Sequence, residues 1–376
     1  MSFSQTSNDL SLDEVKKTKL DWALVTTVII IITIGLVNIY SASSNNFEDA
    51  FSALIKQGIW VGFGLGIVFL QMFLDYRFFQ RLSFIFYFLN LGALLLVPFM
   101  GVVRGGAKRW LDLGFMNFQP SETMKFATVL ALAQFFHNRE GVETMGYRRL
   151  FLPLLIVLVP FFLIVGQPDL GTSLHLLITG VFMILFIGVR KRVILFSIVL
   201  MLASVPFAWK YALKDYQKDR VLTFFNPMRD PKGKSFNTIQ AMIAVGSGQV
   251  SGKGFKKGTQ TQLDFTPEKQ TDFIFTVVAE EWGFLGACFL ILAYLFLFFR
   301  CLMIAHEATE KFGALVCLGF VALLGSQVFI NIGMVMGIVP VVGLPLPFLS
   351  YGGTSMLTCL VSIGMILNIS YRKNIF

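Results

Sequence analysis

Between about Trp22 and Ser370 the chain is written as long apolar runs, most of them close to twenty residues, separated by breaks rich in Lys, Arg, Gly or Pro. A helical run of roughly 20 mostly apolar residues crosses the hydrocarbon core of a bilayer. The pattern therefore predicts about ten spans, over approximately 22–41, 57–74, 80–100, 121–136, 150–166, 171–188, 192–209, 271–299, 312–337 and 351–370. The expected fold is an all-α polytopic membrane protein: a polar segment over 1–21, one ten-span domain over 22–370 and a short tail over 371–376. A long polar loop at about 210–270 separates the seventh span from the eighth. No internal repeat, low-complexity tail or separate soluble domain is expected.

Composition agrees. Only 14% of the 376 residues are charged, against about 25% in an ordinary soluble domain. The mean hydropathy of +0.71 makes the bilayer the solvent that matters. A net charge of +9 would suggest nucleic acid as the partner of a soluble protein. Here Lys and Arg cluster in short loops between apolar runs, where they set topology, so nucleic acid is not expected. Cys288, Cys301, Cys317 and Cys359 stand singly, and His137, His175 and His306 are scattered, so a His/Cys metal site is not expected either. The polar stretch from Met1 to Asp21 lacks a cleavable signal pattern, and the run from Trp22 is span-length.

Orientation follows from the positive residues. Lys16, Lys17 and Lys19 share a side with Arg77 and Arg81, with Arg139, Arg148 and Arg149, and with Arg190, Lys191 and Arg192. Arg300, Lys311, Arg372 and Lys373 complete that side, whereas Ser41–Asn46 and Gly166–Gly171 carry no positive charge. An even number of spans then places both termini in the cytoplasm. Two outer segments break the rule. The 210–270 loop is long enough to translocate regardless of charge. The shorter Gly101–Pro120 carries Arg104, Lys108 and Arg109, which either touch lipid headgroups or hold an anionic group.

The unusual residues crowd on the outer side: Arg104 to Trp110, Gln119 to Glu122, Gly166 to Gly171, Ile239 to Asp272, and Pro345 to Thr354. Asp272 begins the eighth expected span, with Glu280 eight residues deeper and so on the same helical face. Carboxylates at membrane depth face a cavity or a partner, and one tuned by desolvation suits general-base work. A plain helix cap is the structural alternative for Asp272. Glu122 and Lys125 either pair with each other at i and i+3, or leave Lys125 for a phosphate or for another helix's carboxylate. Ser121 fits a helix cap. The Gly-rich run from Gly246 to Gly258, with Lys253, Lys256 and Lys257, lacks the spacing of a nucleotide-phosphate loop, but a basic loop beside a lipid pyrophosphate stays open.

Several stretches resemble the SEDS family (shape, elongation, division and sporulation), and within it the RodA-type branch: GGAKRWLDLGFMNFQPSE (105–122), GQPDLGTS (166–173), FFNPMRDPKGKSFNTIQAMIAVGSG (224–248), GTQTQLDFTPEKQTDFIFTVVAEEWGFLG (258–286) and GLPLPFLSYGGTSM (343–356). Departures are Trp282, in place of a usual Leu, which is expected to add bulk near the cavity, and Lys234–Ser235–Phe236. The resemblance implies a glycosyltransferase of the bacterial inner membrane that polymerises lipid II, the undecaprenyl-pyrophosphate-linked disaccharide-pentapeptide, on the outer face during cell elongation. It implies Asp272 as the catalytic residue, and as partners a class B penicillin-binding protein and other elongation-complex proteins.

On these grounds Arg109, Glu122, Lys125, Arg220, Gln262, Glu280, Ser350 and Tyr351 are the candidate substrate or pyrophosphate contacts. A divalent cation (Mg or Mn) is the expected helper, with no organic cofactor and no assigned metal ligands. The rival is a lipid II flippase, which would need gates on both faces rather than one crowded face.

Overall fold

The computed structural model describes residues 20–43, 47–104, 107–112, 114, 117–139, 144–212, 215–226, 235–262 and 268–373. Helices α1 (Trp22–Ala42), α2 (Phe47–Phe73) and α3 (Tyr76–Met100) fall on the first three apolar runs. Asp21 and Asp75 start α1 and α3 by accepting from Leu24 N and Arg77 N, both at 2.9 Å, as short acidic caps do. Helix α2 begins ten residues before its expected start, with Glu48 and Asp49 in its first turn, where they complement the helix dipole.

The outer break after α3 holds a small antiparallel sheet that an all-helical expectation missed. Strands β1 (Val102–Arg104), β2 (Ala107–Asp112) and β3 (Asn117–Phe118) pair in sequence order, with Val103 opposite Lys108 and Leu111 opposite Phe118. Then follow α4 (Pro120–His137), α5 (Tyr147–Gly166), α6 (Leu170–Ile187) and α7 (Lys191–Phe207), the last running on through a π turn at Ala208–Ala212. The expected polar loop is largely helical, containing α8 (Asp215–Phe225), α9 (Phe236–Ser247) and α10 (Thr259–Gln262). Helices α11 (Ile274–Glu307), α12 (Lys311–Val335) and α13 (Gly353–Arg372) complete the chain.

Among the described residues nine helices are long and apolar enough to cross a membrane. The expected tenth is α4, which falls short in hydropathy because Gln134 and His137 join Glu122 and Lys125 in it. It has no need to be apolar: α3, α6, α12 and α13 pack around it, and nearly every residue of its middle is buried. It still joins the two ends of the bundle. Gln119, at its start, reaches Asp169 at the head of α6, and Arg139, beyond its last turn, accepts from Lys311 Nζ at 2.8 Å.

Between helices in lipid, close packing and hydrogen bonds replace the hydrophobic drive. Phe126 of α4 stacks on Phe320 of α12 with ring centroids 5.1 Å apart. Helix α13 is buried along most of its length, whereas in α7 only Val193 is, so α7 rides on the outside. At the Lys/Arg-rich end, ion pairs tie distant parts together: Arg300 to Asp21 at 2.5 Å, Arg77 to Glu310 at 2.5 Å, and Lys373 to Glu307. The opposite end holds the sheet, α8 to α10 and the turn before α11.

Candidate active site at the outer mouth

Helix α11 begins at Ile274, so Asp272 lies in the turn over 268–273 rather than on the helix. That turn is held from two other elements. Ser350 Oγ donates to Thr271 O at 2.6 Å and accepts from Leu346 N at 2.7 Å, while Tyr351 N donates to Gln270 O at 2.8 Å. Asn331 of α12 donates through Nδ2 to Asp272 O at 2.8 Å and to Leu344 O at 2.6 Å. Gly343 has φ +75°, and a Cβ there would sit 3.1 Å from Asp272 Oδ2. The carboxylate therefore faces a bare stretch of backbone.

The surroundings set its chemistry. Burial, joined by the nearby Glu268 carboxylate, pushes the Asp272 carboxyl up to about 6. Arg220 and Arg109 pull the other way, while Asp169 adds to the rise. Arg109, on β2, is tethered by Pro168 O and stands 3.9 Å from Asp169 Oδ1. Asp169 caps α6 through Thr172 N at 3.3 Å and accepts from Gln119 Nε2 at 3.3 Å. Arg220, on α8, is exposed, and its side chain makes no hydrogen bond or ion pair among the described residues. Sheet, α6 head and α8 thus bring two guanidiniums towards one partly buried carboxylate.

Other candidates fall elsewhere. Lys125 Nζ pairs with Glu122 Oε1 at 2.8 Å, both buried, so the i,i+3 alternative is the one formed. Glu280 does not share a face with Asp272, because the helix that would align them starts only at Ile274. It accepts instead from Lys253 Nζ at 2.7 Å, Gln260 N at 2.9 Å and Thr261 N at 3.0 Å, which anchors the loop leading to α10. Ser350 uses its hydroxyl, and Tyr351 its backbone N–H, on the Asp272 turn. Gln262 ends α10, and its side chain lies outside the described residues, as do 105–106, 227–234 and 263–267 of the motif stretches.

The Gly-rich run has a structural use. Helix α11 is broken at Gly283 (φ 69°, ψ −162°), and the loop enters the break. Phe284 N and Leu285 N donate to Gln249 O (2.8 Å) and Val250 O (3.1 Å), while Glu280 O and Glu281 O accept from Lys253 N and Gly254 N, both at 3.0 Å. Backbone groups that an unbroken helix would pair with one another are thus satisfied by the loop, as membrane depth requires. A Cβ at Gly252 would lie 2.1 Å from Glu281 O, so only glycine allows the approach. Trp282, expected near the cavity, is 46% exposed and lies on the same outward stripe as Leu285, Phe289 and Leu292.

Among the described residues no three His, Cys, Asp or Glu side chains come together. Asn331 and Gly343 were missed as site residues. An Asn inside an apolar span is a signal in itself.

Comparison with known proteins identifies the family. The cell cycle protein family model FTSW_RODA_SPOVE matches residues 21–375. The chain is 39% identical over 314 residues to the peptidoglycan glycosyltransferase MrdB of Escherichia coli (strain K12), covering 83% of this chain and 84% of that one. It is 37% identical to stage V sporulation protein E of Bacillus subtilis (strain 168), covering 94% and 98%. Among solved structures, a chain from work on structural coordination of polymerization and crosslinking by a peptidoglycan synthase complex matches with TM-score 0.81 and 34% identity, covering 94% of this chain and 98% of that one. The rod shape determining protein RodA of Thermus thermophilus matches with TM-score 0.70 and 30% identity, covering 94% and 97%. With a match running from α1 through α13, the chain belongs to the FtsW, RodA and SpoVE family of cell cycle proteins.

Proposed function

We propose that this protein is a peptidoglycan glycosyltransferase that polymerises lipid II on the outer face of the bacterial cytoplasmic membrane during cell elongation. Both termini lie in the cytoplasm, at the end where Arg300, Arg77 and Lys373 gather. The relatives named as peptidoglycan glycosyltransferases support the reaction, and membership of the family supports the setting. The observation that carries the reading is Asp272, a partly buried carboxylate at the outer mouth with the charges of Arg220 and Arg109 acting on it.

Asp272 is the general base. A carboxyl group at about 6 is largely ionised at neutral pH yet close enough to the working pH to take a proton efficiently. It accepts the proton of the acceptor sugar's 4-hydroxyl as that oxygen attacks the anomeric carbon of the donor. The bond from that carbon to phosphate breaks, the lipid pyrophosphate leaves with the electron pair, and attack from the opposite face inverts the centre. Arg109, tethered by Pro168 O, stabilises the charge gathering on the leaving group. A class B penicillin-binding protein then cross-links the strands, in keeping with the matched chain from a complex that couples polymerization to crosslinking. The direct test gives the purified full-length protein and its transpeptidase labelled lipid II, with Asp272→Ala alongside. Glycan ladders from wild type alone support the reading. Absence of ladders from both, with lipid II crossing liposomes that contain the protein, would replace it with the flippase.

A further inference from the structure

A recess lies between α8, α9 and the turn over 337–341, with Arg220 on its lining. Its volume of roughly 190 Å³ is below the about 300–1,000 Å³ of a cleft that swallows a drug-sized ligand, so it takes one group of a substrate. Two further polar linings, Asn237 and Thr238 of α9, are partly buried, and their side chains make no hydrogen bond among the described residues. Met242, Val339 and Pro340 supply an apolar wall. Gly337 keeps the wall back: a Cβ there would lie 2.9 Å from Met242 Sδ.

The lining discriminates between the parts of a lipid-linked glycan. A phosphate could take donors from Arg220, Asn237 Nδ2 and the Thr238 hydroxyl, but it would leave the carboxamide oxygen and the apolar wall of Met242, Val339 and Pro340 unused. An amino sugar uses both faces of the recess. Its hydroxyls and amide group donate and accept, while the acetyl methyl and ring C–H face cover the apolar wall. Val341 lines the recess and Gly343, two residues further on, faces Asp272 Oδ2, so a ring seated there brings a hydroxyl towards the base. We infer that this recess is a sugar subsite holding the acetamido ring of the acceptor, with Asn237 and Thr238 as its specificity residues. The inference rests on the polymerase reading.

The test is steady-state polymerisation by the full-length protein with its transpeptidase, using lipid II and lipid II de-N-acetylated on its terminal sugar. One hydrogen bond lost should raise KM for lipid II roughly 3- to 10-fold in Asn237→Ala and in Thr238→Val, with kcat nearly unchanged. The de-N-acetylated acceptor should weaken the wild type by a similar factor but penalise the Asn237 variant little further. Thr238→Val keeps the side-chain shape and carries the test if Asn237→Ala does not fold. Unchanged KM in a folded variant, or an equal penalty for the modified acceptor in wild type and variant, overturns the subsite while leaving the polymerase intact. A wild type that makes no glycan overturns the polymerase reading and the subsite with it.

Discussion

The hydroxyl of Ser350 reaches from the segment before α13 to the carbonyl of Thr271 at 2.6 Å, one residue short of Asp272. The same oxygen accepts from Leu346 N, so one side chain splices two loops together. Ser350→Ala leaves both backbone groups without this partner, a loss of about 1–3 kcal/mol where they are buried. Because the loss falls on the geometry of Asp272, kcat should drop tenfold or so, by order of magnitude, while KM for lipid II barely moves. Steady-state ladder assays on the folded variant check this, and an unchanged kcat would remove Ser350 from the positioning machinery.

The pH profile should follow Asp272. Activity requires the ionised carboxylate, so it should climb as pH passes through about 6 and level off above. Stability runs the other way. With its folded value raised above the unfolded one, this group favours the fold fully only below the ordinary carboxylate range, and that contribution fades as pH rises through about 6. Asp272→Asn should abolish turnover yet flatten this part of the stability profile. Retained polymerisation in Asp272→Asn would leave only a structural turn at this position.

Gly343→Ala should be folded and nearly inactive. The backbone there is left-handed, and the new methyl would press on Asp272 Oδ2 from 3.1 Å. A melting temperature within a few degrees of wild type, with kcat lowered a hundredfold by order of magnitude, is the expected pair of readings.

Lys125 should behave as a structural ion. Its partner Glu122 is buried with it, so Lys125→Met strands a carboxylate and should destabilise the bundle by about 3–5 kcal/mol. Replacing both residues with apolar ones should restore much of the loss. A double-mutant cycle on detergent unfolding measures the coupling. A stable Lys125→Met with weakened lipid II use would reassign the lysine to the substrate.

How much of this was legible in the chain differs by level. Most spans were written in the apolar runs, because a bilayer imposes length and composition directly. Helix α4 was also found, although its Glu122 and Lys125 are tolerated for a reason that only packing supplies: its neighbours are helices, not lipid. Asp272 was legible through the resemblance of its surrounding motif. Its environment was not, since Asn331, Ser350 and Gly343 approach it from later in the chain. Glu280 was misread because the spacing argument assumed helix from Asp272 onward, whereas the helix begins only at Ile274. The glycines before Lys253 carried a signal for close backbone approach without saying to what.

The loop seated in the break of α11 has a consequence for biogenesis. It precedes α11 in the chain, so on the proposed topology it is made and exported first. When α11 follows, the strip of backbone around Gly283 meets a partner already waiting on the far side. Without that partner the helix would present unpaired amide and carbonyl groups to hydrocarbon, each unmet group costing several kcal/mol. Correct insertion of this one helix is therefore conditional on translocation of the segment before it. A chain that fails to export the loop is left with a poor membrane span, open to quality control before any substrate is met.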